Sequence, residues 1–172
     1  MTLRTTVRLL AAALLVGALP AHAAETGGCG AFAWPIEADK ALLSKAERTP
    51  SGATIDVSAP KAFRIEMTTA DKADFAVAPG RPPAPGAPAG TLTFTARAGL
   101  YQFTMTDRVW IDLVQAGRSL PEAGFSGVLD CDGARKSVRF ELADGPVLIQ
   151  LSGSPARTTA IAITRDPAGA NR

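Results

Sequence analysis

Residues 91–115 have the sequence TLTFTARAGLYQFTMTDRVWIDLVQ, and this stretch decides the fold class. Apolar side chains occupy every second position in three runs within it. They are Leu92, Phe94 and Ala96, then Tyr101, Phe103 and Met105, then Val109, Ile111 and Leu113. A period of two places one set of side chains on one face of a strand and the remainder on the other. The stretch therefore predicts three consecutive strands, each with one apolar face.

The same alternation continues toward the C-terminus. It runs through Val138, Phe140 and Leu142, through Val147, Ile149 and Leu151, and through Ile161 and Ile163. Ala98-Gly99, Ala116-Gly117 and Asp144-Gly145-Pro146 supply turn signals between the runs. Short strands separated by regular turns are typical of two-layered β proteins. We therefore expect a mainly β fold, an antiparallel β-sandwich or jelly roll.

The pattern is weaker in the N-terminal half. Residues 54–57 and 63–67 alternate, and residues 74–77 are predicted to add a further strand. Residues 37–48 suit one short helix, because a few apolar side chains recur among charged ones and Pro50 follows. Residues 79–90, PGRPPAPGAPAG, contain five prolines. Proline lacks a backbone donor, so this stretch is predicted to be an extended connector.

Residues 1–23 have the pattern of a secretory signal peptide. Arg4 and Arg8 precede an apolar run over residues 9–19, and Ala21-His22-Ala23 supplies a small-x-small cleavage site. The run is too short to cross a bilayer, which needs about 20 residues. We expect cleavage after Ala23 and a mature chain, 24–172, that forms a single periplasmic or secreted domain without a membrane span. The alternative is an uncleaved membrane anchor.

Loss of this segment would limit the chemistry of the mature chain, because the sole histidine of the full sequence, His22, lies within it. A Ser-His-Asp triad would lack its base, and histidine-dependent zinc or iron sites would lack their ligands. Removal of Arg4 and Arg8 would also leave 16 basic residues against 16 acidic ones. A neutral chain is a poor partner for nucleic acid. We expect no catalytic centre, no metal and no cofactor.

Two cysteines, Cys29 and Cys131, remain after cleavage. An even number in an exported chain predicts one disulfide, and two free buried thiols are the alternative. Asp130 and Asp132 flank Cys131 like the start of a calcium loop, but Arg135 and Lys136 stand where oxygen ligands would be needed. We therefore expect these carboxylates to pair with the neighbouring cations around a turn.

The outward positions of the late strands form the candidate binding surface. They are Gln102, Thr104, Trp110, Asp112, Arg139, Glu141 and Gln150. If those strands lie in one sheet, an aromatic ring lies beside acids, amides and an arginine, the mixture that a sugar-binding face requires. In the alternative interpretation, the segment around Phe32 and Trp34 covers Trp110, and the charges form cross-strand pairs.

Three segments carry a resemblance to a known group of proteins. Residues 99–104, residues 109–115 and residues 131–140, with the pattern Cys131-x-x-x-Arg135-Lys136, are similar to small exported proteins of Gram-negative bacteria without an established function. Some of those relatives carry the label homogentisate dioxygenase, but this chain lacks the histidine ligands of that enzyme. The late strands also resemble the non-catalytic jelly-roll modules of secreted peptidases. The resemblance implies a sandwich and export, and transfers no catalytic residue.

These observations favour an exported, non-catalytic binding protein of the cell envelope. Its ligand would be a carbohydrate, such as an envelope glycan, or an envelope protein. One alternative is a small glycan-cleaving enzyme that uses Asp112 and Glu141, since such enzymes work with a pair of carboxyl groups. The other alternative is a structural or inhibitory protein that acts through its loops.

Overall fold

A computed structural model describes residues 26–166, and the expected signal peptide 1–23 lies outside this range. A 3-10 turn at Gly28–Ala31 and the helix α1, Glu37–Leu43, precede twelve strands. The strands are β1 Glu47–Pro50, β2 Ala53–Thr54, β3 Lys61–Glu66, β4 Thr68–Thr69, β5 Pro88–Ala96, β6 Gly99–Met105, β7 Trp110–Gln115, β8 Arg118–Ser119, β9 Gly124–Gly127, β10 Lys136–Leu142, β11 Gly145–Ser152 and β12 Thr158–Asp166. Within residues 26–166, no helix is long and apolar enough to cross a membrane.

The strands form two sheets that pack as a β-sandwich, which confirms the predicted fold class. Sheet 1 has the order β1-β3-β12-β6-β10-β9. Sheet 2 has the order β2-β5-β11-β7-β8, and β4 pairs with β5. Most pairs are antiparallel, but β1 runs parallel to β3 and β2 runs parallel to β5. Both sheets are therefore mixed, and the parallel pairs lie at their edges.

The apolar core lies between the sheets and consists of the side chains that alternate in the sequence. Phe103, Met105, Leu113, Ile149 and Ile161 are fully buried there. Burial of side chains of this size contributes roughly 1.5–3 kcal/mol each to the free energy of unfolding. The period-two pattern of the late strands therefore predicts the core correctly.

Four local predictions need correction. The helix ends at Leu43 rather than Arg48, because residues 47–50 pair with β3 as the edge strand β1. Of residues 54–57, only Thr54 belongs to a strand. Residues 74–77 form no strand, since the backbone N–H groups of residues 76 and 77 bond to a side chain instead. The connector 79–90 is irregular only to residue 87, after which Pro88 begins β5.

The N-terminal segment, residues 26–46, packs on the outer face of sheet 1. Phe32, Ile36 and Leu43 form a second apolar cluster with small side chains of β3 and β12. Those small side chains are Ala62, Ala160 and Ala162. Alanine at these outward positions leaves room for a helix to lie close to the sheet.

The predicted disulfide between Cys29 and Cys131 is confirmed and ties this segment to the loop before β10. Beside it, the Asp130 carboxylate accepts hydrogen bonds from the backbone N–H groups of Gly27 and Gly28. These bonds hold the pKa of Asp130 below its usual value. The start of the described chain is therefore fixed to the sandwich at two neighbouring points.

The expected pairing of Asp130 or Asp132 with Arg135 or Lys136 is wrong. Arg135 donates to the carbonyl oxygen of Val128, and Lys136 donates to that of Val109. Within the described range, the ion pairs are Arg48–Glu66 and Lys61–Glu47, which both join β1 to β3. Backbone carbonyl oxygens, rather than carboxylates, therefore accept the hydrogen bonds of these two cationic side chains.

Replacing both cysteines by alanine is expected to lower the free energy of unfolding by about 2–5 kcal/mol. The bridge spans 102 residues, so its loss restores much conformational freedom to the unfolded chain. Urea denaturation measures the change, and chemically reduced wild-type protein is the matched control, which should unfold like the double variant. Equal stability of the oxidised and bridge-free proteins would contradict a stabilising role.

Candidate functional site

The predicted binding surface is divided between two faces that point in opposite directions. Gln102, Thr104, Arg139 and Glu141 lie on β6 and β10 of sheet 1, whereas Trp110, Asp112 and Gln150 lie on β7 and β11 of sheet 2. The chain crosses between the sheets after β6 and again after β10, so β6 and β7 lie in different sheets, as do β10 and β11. The condition for one shared binding face, that these strands lie in one sheet, is therefore not met.

On sheet 1, a polar network fastens the N-terminal segment to the outer face. The carboxylate of Asp39, which is only 2% exposed, accepts hydrogen bonds from Thr104 Oγ1 and from Gln102 Nε2, the latter at 2.6 Å. Arg139 Nε donates to Gln102 Oε1 at 2.9 Å. Gln102 thus links a buried carboxylate to a guanidinium, and both of its polar atoms are occupied.

Trp34 of the N-terminal segment contacts the same network on sheet 1. Its indole Nε1 donates to Ser137 Oγ at 2.9 Å, and its ring lies 4.2 Å from the Arg139 guanidinium carbon. Burial lowers the pKa of Arg139, and the negative charges of Asp166 and Asp39 oppose this shift. The N-terminal segment therefore covers Arg139. The alternative interpretation, in which this segment covers Trp110, is not what the structure shows. Glu141 stays exposed near the end of β10.

On sheet 2, buried polar side chains bind the backbone of residues 76–80, where the chain enters the connector. Gln150 is 1% exposed, and its Oε1 accepts the N–H groups of Ala76 at 2.7 Å and Val77 at 3.2 Å. Its Nε2 donates to the carbonyl oxygen of Val77. Asp112 Oδ2 accepts the N–H of Gly80 at 3.1 Å. These side chains supply the hydrogen bonds that an irregular backbone cannot form with itself.

Asp112 and Glu141 cannot act together on one glycosidic bond. Asp112 alternates with core residues of β7 and points outward from sheet 2, whereas Glu141 alternates with core residues of β10 and points outward from sheet 1. A glycosidase needs its two carboxyl groups within about 10 Å across one cleft. The apolar core separates these two.

Trp110 lies at one end of the sandwich, beside a crevice of about 190 Å³. The ring is 38% exposed, and its Nε1 donates to Asp112 Oδ1 at 3.0 Å. We call this space the Trp110 crevice; it is lined by Trp110, Ile111, Glu122, Phe125, Lys136 and Val138. A large aromatic ring with a fixed orientation is thus available at its mouth.

Lys136 is the unusual residue of the Trp110 crevice. It precedes Val138 and Phe140 in the core-facing phase of β10 and is buried. Its Nζ donates to the carbonyl oxygen of Val109 at 2.9 Å and lies 5.6 Å and 5.5 Å from the ring centres of Trp110 and Phe125. An ammonium close to two aromatic rings is stabilised by their electrons.

The surroundings of Lys136 also change its protonation. Burial lowers the pKa of Lys136 to about 8; among the nearby charges, Glu122 and Asp112 raise it, and Arg135 and Arg81 lower it further. Near pH 8, the ammonium and the neutral amine of Lys136 are therefore populated to similar extents. Sequence inspection missed this residue, although a lysine in the apolar phase of a strand is a visible signal.

The donors and acceptors of the Trp110 crevice suit recognition of a polar ligand. An aromatic ring, an ammonium and the Glu122 carboxylate surround it. Within residues 26–166, no group of three or more His, Cys, Asp or Glu side chains is placed to hold a metal ion. No protein-family model, curated protein or solved structure matches the chain significantly.

Raising the pH should stabilise the wild-type protein relative to the Lys136→Met variant. The pKa of Lys136 is about 8 in the folded protein and about 10.4 for a lysine in an unfolded chain. Between these two pH values the unfolded state binds more protons than the folded state, so the free energy of unfolding rises with pH. The free energy of unfolding of the wild type minus that of the variant should rise by about 2–3 kcal/mol from pH 7 to pH 10.5. Urea denaturation of both proteins across this range measures it, and other titrating groups cancel in the difference. A difference that does not vary with pH would contradict the lowered pKa.

Proposed function

We propose that this chain is an exported, non-catalytic binding protein of the cell envelope that holds a carbohydrate in the Trp110 crevice. The observation that carries the proposal is the partly exposed ring of Trp110, fixed by its bond to Asp112 and adjacent to Lys136 and Glu122. Sugar recognition combines an apolar surface for the ring of the ligand with polar groups for its hydroxyls.

The ring of Trp110 is held in place before any ligand arrives. Its Nε1 bonds to Asp112, whose other carboxylate oxygen accepts the N–H of Gly80. A side chain at Gly80 would come within 3.2 Å of the indole nitrogen, so glycine lets the connector pass directly beside the ring. A ring that is already oriented loses little conformational freedom on binding, which favours affinity.

Polar groups beside the ring can serve sugar hydroxyls. Lys136 has three N–H donors, of which one bonds to Val109, and the Glu122 carboxylate offers acceptors. The crevice volume of about 190 Å³ is smaller than the roughly 300–1,000 Å³ of sites that take drug-sized ligands. This space suits one sugar residue, with the neighbouring units of a glycan lying outside.

Two features support an extracytoplasmic location. The disulfide between Cys29 and Cys131 is of the kind that persists in oxidising compartments. The sequence of residues 1–23 has the pattern of a cleaved signal peptide. Together they favour a periplasmic or secreted protein, where envelope glycans are at hand.

Titration with defined oligosaccharides tests the proposal, with the indole N–H resonance of Trp110 followed by ¹⁵N NMR. The panel contains oligomers of N-acetylglucosamine, glucose, mannose and galacturonic acid. At least one should shift the resonance saturably. Trp110→Ala should lower the affinity by about tenfold or more, because the stacking surface is lost.

Two variants serve as controls for this titration. Trp110→Phe keeps an aromatic face and should retain part of the affinity. Leu129→Ala removes an apolar side chain that is 56% exposed and does not line the crevice, so it should bind like the wild type. The proposal is wrong if no oligosaccharide shifts the Trp110 resonance, or if Trp110→Ala binds as tightly as the wild type.

A further inference from the structure

The opposite end of the sandwich contains a larger pocket, of about 380 Å³. Residues 56–60 form one wall, and Thr95, Arg97, Tyr101 and Arg165 form the other. We call it the Arg165 pocket. It lies beside the end of β12, whereas the Trp110 crevice lies beside the start of β7. The two spaces have no lining residue in common.

Arg165 brings a cation into the end of the apolar core. It follows Ile161 and Ile163 in the inward phase of β12 and lies opposite Tyr101 of β6. Its Nη2 donates to the carbonyl oxygen of Ala98 at 2.6 Å. A side chain at Gly99 would come within 3.0 Å of Arg165 Nε, so glycine makes room for the guanidinium.

The Nε–H of Arg165 is a buried donor without an acceptor among the described residues. A donor in this state costs free energy, and native structures rarely leave one unsatisfied. The neighbouring Tyr101 hydroxyl accepts the N–H of Arg97 at 3.1 Å, which leaves its own O–H to donate. The Tyr101 hydroxyl and the guanidinium groups of Arg97 and Arg165 therefore make the lining of the pocket rich in hydrogen-bond donors.

The charges at the pocket favour a negatively charged ligand. Arg97 and Arg165 are positive, and Asp56 at the facing wall is negative, which leaves one net positive charge. Hydrogen bonds from Ser58 lower the pKa of Asp56, so it stays ionised at neutral pH.

We infer that the Arg165 pocket binds a small molecule through one carboxylate group, which would pair with the guanidinium groups of Arg97 and Arg165 and accept a hydrogen bond from the Tyr101 hydroxyl. The planar guanidinium matches the planar carboxylate. This binding site is independent of the carbohydrate proposal, because it uses other residues at the other end of the sandwich.

Titration with sodium acetate and sodium butyrate tests the inference at constant ionic strength, with sodium chloride as the salt control. The Arg165 Nε–H resonance, followed by ¹⁵N NMR, should shift saturably with the carboxylates and not with chloride. Arg165→Gln and Arg97→Gln should each weaken binding by about tenfold or more, because each removes a charged donor. Since the side chain of Arg97 is exposed, its variant should fold even if Arg165→Gln does not.

Arg108→Gln is the matched control, since Arg108 is exposed and does not line the pocket. It should bind the carboxylates like the wild type. The inference is overturned if neither carboxylate gives a saturable shift, or if Arg97→Gln binds them as the wild type does. Tighter binding of inorganic phosphate than of acetate would overturn the assignment to a carboxylate.

Discussion

Hydrogen bonds from buried polar side chains on the outer faces of the two sheets hold irregular segments in place, and the rest of the structure depends on them. The amide of Gln150 makes three such bonds to the backbone of residues 76 and 77. Gln102 and Thr104 play the corresponding part on sheet 1, where they donate to the buried carboxylate of Asp39 in the N-terminal segment. A buried polar group is tolerable only when it is satisfied, so each network fixes one particular docking of its segment.

The two ends of the sandwich contain spaces that a ligand could enter, the Trp110 crevice and the Arg165 pocket. At each end a cation occupies a position in the core-facing phase of its strand, Lys136 at the start of β10 and Arg165 near the end of β12. Backbone carbonyls satisfy each of them only in part. The aromatic ring of Trp110 accompanies the first cation, and the Tyr101 hydroxyl accompanies the second. These different companions are the reason that we propose a sugar at one end and a carboxylate at the other.

The sequence predicts the parts of this arrangement that depend on local alternation or on residue inventory. The strands around Phe103, Leu113 and Ile149 follow from the period of two, and the Cys29–Cys131 bridge follows from the cysteine count. Sheet membership could not be predicted, because alternation shows that a strand has an inner and an outer side but not which strand lies beside it. For that reason the sequence leaves open whether Gln102 and Gln150 share a face, and the structure places them in different sheets.

Alternation also fails where a side chain replaces a strand partner. Residues 74–77 look like a strand, but Gln150, distant in sequence, takes their backbone donors. Conversely, Lys136 and Arg165 break the apolar phase visibly, and only the tertiary structure shows that each then points into an open end of the core.

The central claim is that the buried outward polar residues hold the structure together, whereas Trp110 is free to serve a ligand. The most direct measurement compares the free energies of unfolding of Gln150→Ala and Trp110→Ala by urea denaturation. Gln150→Ala should lose about 1–3 kcal/mol more than Trp110→Ala, because it leaves buried backbone groups of residues 76 and 77 without partners. Equal losses in the two variants, or a larger loss for Trp110→Ala, would contradict the account.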